Sequence, residues 1–148
     1  MKYFLKSYEE LTKNELYKIL QLRIEIFVIE QNCPYQDADG KDKACYHLMG
    51  CDDDGNIHTY TRLVPEGVSY KGYTAIGRVI TSKAVRGKGA GVALMIKSME
   101  EIKRLWPGFS VKLSAQSHLQ KFYGKFGFES VGEEYLEDGI PHIAMVAK

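Results

Sequence analysis

Residues 79–94, VITSKAVRGKGAGVAL, join the end of an apolar strand, a glycine-rich turn and the start of an amphipathic helix. Backbone N–H groups at a helix N-terminus lack partners, and the helix dipole makes that end partly positive. Glycines let a turn curl closely around an anion, and Arg86 and Lys88 add positive charge. The segment therefore predicts a binding site for a phosphate or a diphosphate.

Two common nucleotide-binding motifs fit this turn poorly. A P-loop ends in Gly-Lys-Ser/Thr, whereas Gly89-Ala90-Gly91 offers no hydroxyl to magnesium. A dinucleotide fingerprint starting at Gly87 would need a glycine where Val92 stands, and the acidic ribose partner about twenty residues later is missing. A domain that binds ATP or NAD through this turn is therefore the weaker alternative.

The flanking patterns predict one α+β domain, layered from helices and strands, over residues 1–148. Thr12-Lys13-Asn14-Glu15 is a capping box, which predicts a helix from there to about Ile29. A second capping-box pattern, Ser117-His118-Leu119-Gln120, predicts a short helix that ends at Gly127. The expected strands are residues 2–6, 46–49, 57–64, 75–81 and 111–115. Two more strands are expected on either side of a turn at residues 138–141, and the last of them is 142–146.

Composition excludes several classes of protein. The 148 residues carry a net charge of +1, whereas a general nucleic-acid binder carries a strong positive excess. No apolar run approaches the roughly 18 residues of a membrane span, and the charged N-terminus is unlike a signal peptide. The three cysteines form no CxxC pair, which is typical of reduced thiols. We therefore expect a cytoplasmic protein that binds neither nucleic acid nor membrane.

The spacing Arg86-x-x-Gly89-x-Gly91 resembles the acetyl-CoA-binding motif of the GCN5-related N-acetyltransferase (GNAT) superfamily, Gln/Arg-x-x-Gly-x-Gly/Ala. The block FYGKFGF at residues 122–128 looks like the tyrosine-containing motif of that family. Residues 27–35, FVIEQNCPY, and 136–142, LEDGIPH, are similar to segments of its ElaA-like subgroup. The resemblance spans nearly the whole chain.

The resemblance implies the GNAT fold, a mixed and mostly antiparallel sheet that splays at the acetyl-CoA site and has helices on both faces. The backbone of the glycine turn would bind the diphosphate of the coenzyme, and the pantetheine arm would pair with the strand before it. The thioester would lie between that strand and residues 111–115. The implied coenzyme-binding residues are Arg78, Val79, Ile80, Arg86, Gly87, Lys88, Gly89, Ala90, Gly91, Ser117 and Phe122.

By the same resemblance, Tyr123 is the general acid that protonates the sulfur of coenzyme A, although its helix position also suits a core aromatic. A backbone N–H of Val79 or Ile80 is expected to stabilise the oxyanion. The base stays open between ordered water and a base or water relay at one of three residues, Glu30, His47 and His142.

The implied reaction is direct transfer of an acetyl group from acetyl-CoA to a primary amine in a ternary complex. The acceptor stays open between a small molecule (a polyamine, an aminosugar or an amino acid) and a peptide N-terminus, with Gln31 and Asn32 as candidate contacts. A non-catalytic acyl-CoA sensor of the same fold is the alternative, and a homodimer also stays open. We expect no metal site, because Cys45, His47 and Cys51 are too spread along an extended strand to converge.

Two acidic loops bear on the acceptor. Their carboxylates would attract a cationic amine, or they would simply be solvated. They comprise Asp37, Asp39 and Asp42 in one loop and Glu133, Glu134, Glu137 and Asp138 in the other.

Overall fold

The computed structural model describes residues 1–148 as a seven-stranded sheet with helices on its two faces. The strands are β1 (Lys2–Ser7), β2 (Tyr46–Cys51), β3 (Ile57–Val64), β4 (Tyr73–Thr81), β5 (Ser110–Gln116), β6 (Glu129–Glu137) and β7 (Ile140–Ala147). The helices are α1 (Lys13–Arg23), α2 (Ala90–Leu105) and α3 (Gln120–Gly124). A π-helical turn, Ile24–Glu30, extends α1, and 3₁₀ turns lie at Asp42–Ala44, Lys83–Val85 and Ser117–Leu119.

The strands follow the order β1-β2-β3-β4-β5-β7-β6, and every neighbouring pair is antiparallel except β4 and β5. These two parallel strands pair only where Tyr73–Ala75 faces Ser110–Lys112. Beyond that point β4 continues to Thr81 and β5 to Gln116 without pairing to each other. The predicted mixed sheet with a splay between these strands is confirmed.

Both faces of the sheet are covered, as predicted. On one face Ile19 and Ile26 of the first helical segment pack with Met49, Tyr60 and Ile80. On the other face α2 and α3 pack on the sheet, and the buried side chains there include Leu63, Ile76, Met95, Ile102, Leu113 and Tyr123. Burial of these apolar surfaces is the main favourable term that holds the layers together.

The first helix begins as predicted and ends differently. Thr12 Oγ1 accepts the Glu15 N–H at 3.1 Å, and Glu15 Oε1 accepts the Thr12 N–H at 2.9 Å. The helix then widens into the π turn, with Gln31 N–H bonded to the carbonyl of Ile26 and Cys33 N–H to that of Val28. This wider turn carries Glu30 to the edge of the gap between β4 and β5.

The second predicted capping box is wrong. Ser117 begins a 3₁₀ turn that precedes α3, and its side chain caps no N–H group of either the turn or the helix. Instead Gln120 Nε2 donates to the Ser117 carbonyl at 2.9 Å, and Ser117 Oγ is buried without a hydrogen bond. Gly127 has the expected left-handed conformation, with a φ of +90°, but α3 ends three residues before it, at Gly124.

None of the helices combines the length and the apolar character that crossing a bilayer requires.

Candidate functional site

The parting of β4 and β5 opens a cleft of about 880 Å³. It follows β4 from Ala75 to Thr81 and continues to Arg86. The opposite wall comes from β5 and α3, through Leu113, Ser114 and Tyr123. The π turn and the β6–β7 turn also border the cleft, so elements distant in sequence meet around one space.

The glycine turn has the geometry of an anion site. Gly89 is the N-cap of α2 at a φ of +78°, and Gly87 has a φ of +77°, a region that side-chain-bearing residues rarely adopt. No side chain caps α2, so its first N–H groups stay available. A Cβ at Gly89 would meet nothing within 4 Å, so the backbone there is open to solvent. Of residues 86–91, Arg86 lines the cleft and the other five do not.

The strand before the turn is irregular where the pantetheine is expected. Tyr60 pairs with Ile80 and Arg62 with Gly77, so Thr61 alone faces both Arg78 and Val79. This is a β-bulge, and Arg78 has a φ of +52° within it. Both bulge residues line the cleft.

The other predicted coenzyme contacts lie in different places. The Ile80 side chain is buried in the core on the α1 face, so only its backbone is a candidate. Phe122 packs against the start of α2, where its ring lies 3.5 Å from the position that a Cβ at Gly91 would take. Ser117 does not line the cleft, whereas its neighbours His118 and Leu119 do.

Glu30 lies in the cleft but is held in an ion pair. Arg86 donates to both of its carboxylate oxygens, at 2.7 and 2.6 Å, and also to the carbonyl of Thr81 at 2.9 Å. These hydrogen bonds hold the pKa of Glu30 below its usual range. The carboxylate of Glu30 is thus a weak base, and it neutralises the positive charge of Arg86.

His47 is not brought to the cleft, contrary to its selection as a candidate base. Its ring is fully buried, with Nε2 2.9 Å from the carbonyl of Asp42 and Nδ1 2.6 Å from the hydroxyl of Tyr60. The carbonyl can only accept, so Nε2 carries the proton and Nδ1 accepts from Tyr60. This neutral histidine is a structural residue.

His47 predicts a decline of stability in mild acid. Burial lowers its pKa in the folded protein, so below pH about 6.5 the unfolded chain binds a proton that the folded chain does not. We expect the free energy of unfolding to fall by up to about 1.4 kcal/mol per pH unit from this group between pH 6.5 and 5. Urea unfolding across this range measures the slope, and His47→Gln, which does not titrate, should flatten it. An identical slope in both proteins would contradict the assignment.

His142 does line the cleft, and its ring is oriented by the backbone. Nδ1 lies 2.7 Å from the carbonyl of Ile140, so this nitrogen carries the proton in the neutral ring. The other nitrogen, Nε2, lies 3.4 Å from the carboxylate of Glu137, which also lines the cleft. Of the three candidate bases, Glu30 is paired with Arg86 and His47 lies away from the cleft. His142 lines the cleft, and no protein N–H or O–H donates to its Nε2.

Tyr123 lines the cleft while its ring packs edge-on against Phe122 and Phe128. The residue is 7% exposed, and burial raises the pKa of its phenol to about 12. Its hydroxyl makes no hydrogen bond to another protein group, and it is not fully shielded from solvent. Tyr123 is therefore a core aromatic that also lines the cleft, and its phenol stays protonated at neutral pH.

The carboxylates of the first acidic loop are paired with arginines rather than solvated, and Asp39 among them lines the cleft. Asp37 and Asp42 are buried because Arg23, itself fully buried, donates to both at 2.8 and 2.7 Å. Asp39 is held by Arg62 at 2.8 Å through each oxygen. Sequence reasoning missed Arg23 and Arg62 as the partners of this loop. The available signal was Arg23 on the core-facing stripe of α1, since a buried guanidinium needs a carboxylate partner.

The second acidic loop divides. Glu133 and Glu134 are exposed on β6, whereas Glu137 and Asp138 line the cleft. Of the two polar residues proposed to contact the acceptor, Gln31 borders the cleft and Asn32 does not. Tyr35 and Tyr70, which the sequence did not single out, also line it.

A parted pair of parallel strands beside a glycine turn is the arrangement that the family resemblance implied for the GNAT fold. Residues 17–148 match the family model described as an acetyltransferase (GNAT) domain. The chain therefore belongs to the GNAT acetyltransferase family.

Its relatives agree with the subgroup that the sequence motifs indicated. The chain is 46% identical over 140 residues to protein ElaA of Escherichia coli K12. The aligned region covers 93% of this chain and 90% of that protein. The crystal structure of E. coli ElaA matches with a TM-score of 0.92 at 43% identity over 99% of both chains. An acyl-CoA N-acyltransferase from Pseudomonas aeruginosa matches with a TM-score of 0.92 at 45% identity over all of both chains.

Proposed function

We propose that the protein is an acetyl-CoA-dependent N-acetyltransferase that moves an acetyl group directly to a primary amine in a ternary complex. The observation that carries this proposal is the continuity of the cleft. One space extends from Arg86, at the anion-binding turn, along the parted edge of β4 to the phenol of Tyr123. A diphosphate at the turn therefore directs a thioester toward a proton donor.

The residues present suit acetyl-CoA. N–H groups of residues 86–91 would hold its diphosphate, because glycines at Gly87 and Gly89 expose the backbone there. The pantetheine arm would pair with β4 at the bulge as an added strand. A backbone N–H of Val79 or Ile80 would then stabilise the developing oxyanion.

The chemistry needs a neutral amine and a protonated leaving group. The amine nitrogen attacks the thioester carbonyl, a C–N bond forms and the C–S bond breaks. Tyr123 gives its proton to the departing thiolate, since its raised pKa keeps the phenol protonated at neutral pH. The proton from the amine leaves through water beside His142 Nε2.

Tyr123→Phe is expected to lower kcat by about 10²-fold, because it removes the proton donor and keeps the packed ring. Affinity for acetyl-CoA should stay nearly unchanged, since the diphosphate contacts lie elsewhere. Phe128→Leu is a control that alters packing next to Tyr123 without removing its hydroxyl. Turnover in Tyr123→Phe equal to that of the native protein would remove Tyr123 from the reaction.

The decisive experiment for the function measures thiol release from acetyl-CoA with a panel of amines. The panel contains polyamines, aminosugars, amino acids and a peptide with a free N-terminus. Release with at least one class supports acetyl transfer. Binding of acetyl-CoA without release in any class would instead indicate an acyl-CoA sensor. Stabilisation of the fold by ATP with magnesium, and not by acetyl-CoA, would contradict both.

A further inference from the structure

Residues 31–41 form a wall of the cleft and depend on side chains for their position. The segment connects the π turn to the 3₁₀ turn before β2. It contributes Gln31, Cys33, Tyr35, Asp39 and Lys41 to the cleft. Residues 34–40 make no backbone–backbone hydrogen bond. Such a segment opens easily unless side chains fix it.

Arg78 directs all of its side-chain polar contacts to this segment. Its Nε lies 2.8 Å from Asp37 Oδ1, and its Nη2 donates to the Asp37 carbonyl at 3.0 Å and lies 3.5 Å from Asp39 Oδ2. The guanidinium also lies 5.6 Å from the centre of the Tyr35 ring. The Tyr35 hydroxyl donates to the same Asp37 oxygen at 2.8 Å.

The backbone of Arg78 lies at the bulge in β4. Its φ of +52° is a conformation that non-glycine residues seldom adopt and that surrounding contacts must maintain. Arg23 holds the other Asp37 oxygen at 2.8 Å and fixes this carboxylate to α1. Arg78 therefore ties the segment to β4, while Arg23 ties it to α1 and Arg62 ties it to β3.

We propose, on the basis of the function proposed above, that Arg78 is a positioning residue that couples coenzyme binding to the ordering of residues 31–41. A coenzyme paired with β4 restrains the bulge, and the restrained bulge holds the guanidinium against Asp37. Residues 31–41 then open less often, so they complete the wall of the cleft beside the acceptor when acetyl-CoA is bound. Because coupling between sites is reciprocal, a bound acceptor tightens acetyl-CoA by the same factor.

Hydrogen exchange followed by mass spectrometry tests this coupling without a known acceptor. In the native protein, saturating acetyl-CoA should slow exchange both at residues 86–91 and at residues 31–41, where the N–H groups of Gln31, Asn32, Cys33 and Lys41 are hydrogen-bonded. In Arg78→Met, the protection at 86–91 should remain and the ligand-induced protection at 31–41 should be lost. Exchange of these bonded N–H groups without ligand should also rise about tenfold or more, because two hydrogen bonds from a charged donor are removed.

Arg104→Met is the matched control, since Arg104 pairs with Glu101 on the exposed side of α2 and lies outside the cleft. It should behave as the native protein does. If Arg78→Met fails to fold by circular dichroism, Arg78→Lys replaces it and should show partial loss, because one ammonium replaces the two-point contact.

Three outcomes would overturn the coupling. Protection at 86–91 without protection at 31–41 in the native protein would show that the two regions are independent. Unchanged protection of both regions in Arg78→Met would remove Arg78 from the link. Absence of protection at 86–91 in the native protein would overturn the proposed function together with the inference.

Discussion

Arg23→Met is expected to lower the free energy of unfolding by about 3–5 kcal/mol. Arg23 is fully buried and donates to Asp37 and Asp42, and removal of one partner leaves buried charge without full compensation. Arg62 and Arg78 still contact these carboxylates, so the fold is weakened rather than abolished. Guanidinium unfolding monitored by circular dichroism measures the change.

The surface pair of Arg104 and Glu101 provides a comparison for this result. Arg104→Met removes an arginine with a similarly short contact, 2.6 Å, but the pair is exposed and screened by solvent. We expect its effect to stay within about 0.5 kcal/mol. If Arg23→Met lowers the free energy of unfolding by less than about 1 kcal/mol, the buried ion pairs do not hold residues 31–41 in place.

Gly89→Val is expected to raise the dissociation constant of acetyl-CoA by about 10³-fold. The φ of +78° disfavours a β-branched residue, and its side chain would occupy the space in which the diphosphate meets the backbone. The expected loss combines that strain with the loss of charge-assisted hydrogen bonds from the turn, together about 4 kcal/mol. Titration calorimetry measures the constant.

Gly55→Val separates strain from ligand contact. Gly55 has a φ of +83° and, like Gly89, would place a Cβ in open space, but it lies in the β2–β3 turn and not at the start of α2 beside Arg86. We expect this variant to lose stability and to bind acetyl-CoA normally. Similar binding by Gly89→Val and Gly55→Val would show that the glycine turn does not hold the coenzyme.

The parts of the site that sequence predicts well are those built from neighbouring residues. Positive φ angles at Gly87 and Gly89, the capping box at Thr12 and the apolar stripe of α2 all follow from local chemistry. The glycine turn accordingly lies at the start of α2, where the sequence predicts it. The splay between β4 and β5 followed from the family resemblance and not from any local pattern.

The parts that sequence missed depend on contacts between distant residues. Glu30 and Arg86 lie 56 positions apart, so nothing near Glu30 indicates that its carboxylate is already paired. His47 lies on a strand in either case, and only the packing of Asp42 and Tyr60 around it shows that it is buried. The Ser117 pattern was misleading because a 3₁₀ turn places that serine inside the helical segment.

The most direct test of the account is a crystal structure of the protein with coenzyme A. It should show the diphosphate against the N–H groups of residues 86–91, and the pantetheine arm between β4 and β5 with its sulfur near the Tyr123 hydroxyl. A diphosphate bound elsewhere, or strands β4 and β5 joined along their length with the cleft closed, would contradict the proposed enzyme.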